Sequence, residues 1–313
     1  MNNRVQLFDI ARAICVLEIV GLWHMFDYIP KVSWSSNFIE PTLVVLATFT
    51  FLSGLFLGKK KQSIGTFYFN RIKRFYLLLV LSLLSFYLGG QIGSIKQLLF
   101  AATGISCFVL PQPMTLWYFS MMIVFYLLTP LILLDTYTND GSIKYQRIII
   151  RGLLIELIMF VISCLFSIDE RILLYFPFYL LGIITPIDKV TTLINLRLKT
   201  FTIGISLIIV GLLFSIGWFK DLLTMGGGML ILLFLSSLLE SHLYSTVKRI
   251  LLLVSYSSMC AYLFHRQVYY VLRYLTGNEE YVPYGMIPIM IIVLFIVSFC
   301  IQKVYDSILK CLQ

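Results

Sequence analysis

The sequence predicts an all-α polytopic transmembrane bundle of about ten spans with both termini cytoplasmic, and three observations carry that prediction. Apolar stretches of roughly 17–25 residues, the length that crosses a bilayer as a helix, recur along the whole chain. Of the 313 residues, 59% are hydrophobic and only 12% charged, too little charged surface for a soluble domain of this size. The basic residues fall on alternate connections. The stretches are continuous apolar runs without a period of two, which argues against a membrane β-barrel.

The helices are placed at approximately 8–29, 36–57, 67–89, 115–135, 148–167, 171–186, 200–218, 222–240, 249–273 and 284–306. The first carries Asp9, Arg12, Glu18 and His24, lacks a small-residue cleavage site and is followed by many more spans, so it reads as a retained span and not a signal peptide. The third opens on the basic run NRIKRFYLLL. Between the third and fourth, IKQLLFAATGISCFVL is semi-apolar and reads as an interfacial or re-entrant piece. Gly226–Gly228 in the eighth permit close helix packing or a break. One set of alternate connections and adjoining span ends holds seventeen Lys and Arg and the other five, with Arg12 and Arg266 deeper in spans. The positive-inside rule makes the rich side cytoplasmic. No soluble domain is appended, and residues 1–313 are read as one integral-membrane domain.

The six cysteines include no C-x-x-C pair and fall mostly in spans, so neither a disulfide framework nor a metal site is expected. The formal charge of +9 follows membrane topology and does not mark a nucleic-acid-binding surface.

Ionisable groups inside spans are expensive and mark sites. Arg12 and His24 lie near the inner and outer ends of the first span, about 18 Å apart along a helix. His265 lies in the outer half of the ninth. The plain alternatives are a snorkelling anchor for Arg12, an interfacial histidine hydrogen-bonded near Asp27 or Tyr28 for His24, and a satisfied buried histidine for His265. Arg71, Lys73 and Arg74 equally well serve topology alone. Glu18 and Glu156 are intramembrane carboxylates that pair with basic groups or carry protons.

Read together, these segments resemble acyltransferase family three, the integral-membrane acyl-CoA-dependent O-acyltransferases of glycans. FDIARAICVLEIVGLWH matches its opening pattern at Asp9, Arg12 and His24. FTFLSGLFLG matches at Ser53 and Gly54, and the basic third-span entrance at Arg71, Arg74 and Tyr76. LWYFSMMIVFYLLTP matches at Trp117, Tyr118, Tyr126 and Pro130, and SMCAYLFH at Ser258, Tyr262 and His265. The resemblance implies transfer of an acyl group, usually acetyl, from cytoplasmic acetyl-CoA or another short acyl-CoA to a hydroxyl of a cell-surface or lipid-linked glycan, in a bacterial cytoplasmic membrane. It implies His24 as general base, Arg12 as a donor contact or orienting group, and His265 as a secondary site residue. Arg71, Arg74 and Ser53 would bind the donor, and Tyr76, Trp117 and Tyr118 would line the acceptor path. The rival class is a polysaccharide or small-solute transporter or flippase, although no repeat symmetry of the kind common in transporters is visible.

One departure from the family makes a structural prediction. The family leaves ten residues between the first-span basic residue and the histidine, and here eleven intervene. Eleven helical steps return to almost the same face, whereas twelve land about 120° away. A π-type turn or local break around residues 16–22 is therefore expected, because it absorbs one extra residue.

Overall fold

In a computed structural model, described here for residues 6–28, 39–57, 63–109, 115–136, 143–166, 168–213, 217–275, 277 and 282–311, the fold is all-helical, with no strand among the described residues. In chain order the α-helices are α1 Gln6–Val16, α2 Ile39–Leu55, α3 Ile64–Arg71, α4 Leu77–Leu88, α5 Ile95–Thr103, α6 Trp117–Leu133, α7 Tyr145–Leu165, α8 Arg171–Ile184, α9 Ile187–Asn195, α10 Arg197–Leu213, α11 Gly217–His242, α12 Ser245–Leu275 and α13 Ile287–Cys311. Each of the ten expected apolar segments contains helix.

Among the described residues, four helical stretches are long and apolar enough to cross a membrane, namely Tyr145–Leu165, Gly217–His242, Ser245–Leu275 and Tyr284–Cys311. The bent pair α8 and α9 makes a fifth if it is one span. The helices described in the remaining segments are shorter. The first is interrupted by a π-helix at Leu17–Trp23 and a 3₁₀ turn at His24–Asp27, and the third by a π-helix at Ile72–Tyr76. α2, α6 and α10 each hold 17 residues. Lys31 and Lys59–Lys61 lie outside the described residues.

The stretch after α4 folds into α5 and a 3₁₀ turn, Ile105–Cys107. Ser94 caps α5 by its Oγ accepting from the Gln97 backbone N–H at 3.3 Å, while the Gln97 side-chain Oε1 accepts from the Gly93 N–H at 3.1 Å. Gly104, at φ +79°, ends the helix in the left-handed conformation that glycine adopts without steric cost. α9 was not expected. It is a short amphipathic helix that buries Val190 and Ile194 in what the sequence reads as a cytoplasmic connection.

The chain divides into two compact units, Met1–Phe49 with Val190–Gln313, and Thr50–Lys189, so the division falls inside α2. In the first unit, α1 packs on α11 and α12, and α12 on α13. α10 and α11 approach backbone to backbone, since a Cβ on Gly204 would meet the Gly227 carbonyl oxygen at 2.9 Å. Gly227 and Gly228 thus serve close packing, and the helix runs unbroken through Gly226–Gly228. In the second unit, α2 and α8 cross through Gly54 and Gly182. A Cβ on Gly182 would meet the Leu55 backbone nitrogen at 2.7 Å, and one on Gly54 would meet the Ile183 nitrogen at 3.1 Å. Phe125, Phe176 and Tyr179 are buried together in the core of this unit.

Candidate active site

The first unit gathers the intramembrane histidines. The surplus residue of the first span is absorbed as expected, in the π-helix Leu17–Trp23. Its signature is the His24 N–H, which donates to the Ile19 carbonyl five residues back. In an α-helix that N–H would serve Val20. The Val20 carbonyl instead accepts the hydroxyl of Tyr269, from α12, at 2.8 Å.

The π-helix delivers His24 onto His265. The two rings stack face to face, 4.5 Å between centroids and 6° from parallel. His265 is fully buried and His24 is 7% exposed. His265 Nδ1 lies 2.8 Å from the Tyr262 carbonyl oxygen. A carbonyl only accepts, so Nδ1 carries the proton and Nε2 presents its lone pair. His265 Nε2 and His24 Nδ1 are both buried without a hydrogen-bond partner. Tyr262 and Tyr269 each meet the His265 ring edge-on at 6.0 Å. Beside the stack, Arg266 pairs with Asp27 at 2.7 Å.

At the other end of α1, Arg12 pairs with Asp9 at 3.5 Å, and Asp9 accepts from Ser255 of α12 at 3.2 Å. Both ends of the first span are therefore tied to the helix that carries His265. Between them Glu18 lies within the π-helix and accepts from Thr42 at 3.0 Å.

The second unit gathers the basic entrance. Arg71 is the last residue of α3, and Lys73, Arg74 and Tyr76 lie in the second π-helix. The Arg71 guanidinium lies 5.6 Å from the ring centroids of both Phe67 and Tyr126, and its Nε is buried without a hydrogen-bond partner. Arg74 is exposed, and Lys73 and Tyr76 are half-buried. Nearby, Thr129 and Tyr179 share a 2.5 Å hydrogen bond. Ser53 is half-buried next to Gly54 at the α2–α8 crossing.

The expected acceptor-path aromatics have defined neighbours. Tyr118 is buried, its hydroxyl 3.3 Å from Thr50 Oγ1. Trp117 is half-buried beneath the Arg171 guanidinium, 3.8 Å from the ring centroid, and Arg171 also bonds Asp169 at 2.5 Å.

Sequence reasoning brought His24 and His265 to the same half of the membrane but missed Tyr269, the Asp27–Arg266 pair, the Phe67–Tyr126 setting of Arg71, and the second π-helix. Tyr269 had a readable signal. Tyr262, His265 and Tyr269 recur at three- and four-residue spacing, which is one helix face.

Both π-helices coincide with the segments of densest polar chemistry, the first-span histidine and the third-span basic run. π-Helical turns cost regular hydrogen bonding and occur often at functional sites. A family model described as an acyltransferase domain matches residues 5–303. No curated protein and no solved structure matches the chain significantly. The match favours the acyltransferase over the transporter reading, and a membrane acyltransferase agrees with the apolar helices. The motif-bearing π-helices, the buried histidine pair and a family match over almost the entire chain lead to one assignment: this protein belongs to acyltransferase family three.

Proposed function

We propose that the chain is a multi-pass O-acyltransferase, and in the simplest case an O-acetyltransferase, of a bacterial cytoplasmic membrane. It crosses the bilayer about ten times as a single integral-membrane domain with both termini cytoplasmic, so that the basic connections face the cytoplasm. It takes an acyl group from cytoplasmic acetyl-CoA or another short acyl-CoA and gives it to a hydroxyl of a cell-surface or lipid-linked glycan. No metal takes part in this reading.

The observation that carries the proposal is the stacked histidine pair, buried in the apolar unit with a ring nitrogen of each unpartnered. Buried polar atoms without partners are costly and call for an explanation. An acceptor hydroxyl supplies one. His24 takes the hydroxyl proton, the oxygen attacks the thioester carbonyl and forms the ester bond, the carbon–sulfur bond breaks, and the proton passes to the departing thiolate. General-base assistance of this kind is worth about 10²–10⁴-fold. His265, its Nδ1–H held by Tyr262, supports His24 through the stack. Arg12, paired with Asp9, orients the first span against α12.

Arg71 suits the donor's phosphates, because guanidinium recognises phosphate through paired N–H donors and its buried Nε has no other partner. Arg74 adds exposed positive charge and Ser53 a hydroxyl. Tyr76, Trp117 and Tyr118 contribute aromatic surface to the acceptor path.

The test is His24→Ala, measured by mass spectrometry of surface glycans at matched membrane abundance. Loss of the O-acyl group is expected, with a smaller or acceptor-dependent loss for His265→Ala. Near-normal acylation by His24→Ala overturns the general-base role, and equal severity of the two variants reverses their ranking.

A further inference from the structure

The π-helix that places His24 deprives one backbone carbonyl of its ordinary α-helical donor. The His24 N–H is diverted to Ile19, which takes from the Val20 carbonyl its ordinary α-helical donor. Buried backbone carbonyls are almost always paired. The group that reaches Val20 is a single side chain from a distant part of the sequence, the Tyr269 hydroxyl at 2.8 Å.

Tyr269 is fully buried, and its ring stands edge-on to His265 at 6.0 Å and to Tyr28 at 5.4 Å. The same residue therefore bonds the backbone that positions His24 and packs on the ring against which His24 stacks. We infer that Tyr269 is a positioning residue for acyl transfer, whose hydroxyl holds the π-helical turn and so keeps His24 in register with His265. The inference rests on His24 being the reacting histidine. It assigns Tyr269 no contact with either substrate.

Without the hydroxyl, the turn gains by returning the His24 N–H to Val20. A regular helix over this segment rotates His24 by about 100° away from the stack. Misplacement of a reacting group by an ångström costs on the order of 100-fold in rate, while donor binding elsewhere is unaffected.

The experiment uses the purified full chain and acetyl-CoA as probe, following release of the CoA thiol by hydrolysis, with water taking the acetyl group as acetate. Tyr269→Phe keeps the ring and removes the hydroxyl. The expected result is a kcat lower by about 10–100-fold with KM for acetyl-CoA unchanged. A merely structural loss would lower the active fraction, so binding-competent protein is counted by acetyl-CoA titration and the rate expressed per bound site. The second arm deletes Leu22, which removes the surplus residue. In that background the segment needs no π-helix, so activity persists and Tyr269→Phe has no further effect.

Wild-type kcat in Tyr269→Phe overturns the inference. So does an equal loss in the presence and absence of Leu22, or a deletion variant that is inactive with Tyr269 intact. His24→Ala, run in parallel, separates the two readings. Turnover surviving there overturns the base assignment itself, whereas turnover lost there but kept in Tyr269→Phe overturns only the role of Tyr269.

Discussion

Gly54→Ala and Gly182→Ala should each loosen the Thr50–Lys189 unit by parting α2 from α8. The magnitude follows from what the new methyl groups meet. At Gly182 the Leu55 backbone nitrogen lies 2.7 Å from the Cβ position, whereas ordinary contact begins at 3.4 Å. Phe51 and Tyr179 backbone oxygens lie closer still to the two Cβ positions. Backbone atoms have no alternative rotamer, so the helices themselves must move. Overpacking of this kind costs about 1–3 kcal/mol. For a protein of this size that is a fall in Tm of about 2–10 °C. The assay is thermal unfolding of the detergent-solubilised protein, followed by intrinsic fluorescence. The two substitutions address one crossing, so the second costs less once the first has separated the helices. Gly65→Ala in α3 is the control. A Cβ there meets nothing within 4 Å, and the exchange is neutral or stabilising by up to about 1 kcal/mol. Unchanged Tm in both crossing variants, or fully additive losses in the double variant, would refute the close-crossing argument.

Arg71→Ala should raise the KM for acyl-CoA, and Arg74→Ala should add to it. Raised salt should reproduce part of the loss in wild type, chiefly the part due to exposed Arg74, because the half-buried Arg71 is screened less; donor binding equal to wild type in both variants would leave these residues a topological role. Cys107, in the connection between spans, is buried, and burial with the Asp169 carboxylate nearby pushes its thiol up to about 12. A raised thiol pKa means a small thiolate fraction at neutral pH, growing as pH approaches 12. Maleimide at pH 7 should therefore label the exposed Cys311 and spare Cys107 until the protein is denatured, and prompt native labelling at Cys107 would contradict its burial.

What the sequence revealed depended on whether the relevant signal was local. The apolar segments are written in runs of neighbouring residues, and each contains helix. The π-helix at Leu17–Trp23 was legible because one surplus residue between Arg12 and His24 is an arithmetic fact about a helix. The second π-helix left no such trace, since no spacing in NRIKRFY demands it. His24 and His265 were placed in the same half of the bundle by the alternation of charged connections, but their face-to-face stacking is a contact between helices 241 positions apart, which span periodicity does not encode. Tyr269 shares a readable helix face with His265, but its hydrogen bond was hidden for a different reason. Its partner is a backbone carbonyl released by an irregular turn, and no residue type at position 20 announces that. Gly54 was visible as part of a motif, while Gly182, its counterpart across the crossing, carried no motif at all. Arg171 was counted only as an outer-side cation, because its stacking on Trp117 bridges positions 54 apart.

α12 takes part in most of the polar contacts described in the first unit. Along its 31 residues, Ser255 meets Asp9, Tyr256 donates to Asp306, Cys260 to Gln302, His265 stacks on His24, Arg266 pairs with Asp27, and Tyr269 holds Val20. At 1.5 Å per residue it is about 46 Å long, longer than the roughly 30 Å hydrocarbon layer. Twisting it by one residue would turn every one of these groups by about 100° at once. Such a rod does not roll or slide in small increments. In any motion of the first unit, α1, α12 and α13 would therefore travel as one piece.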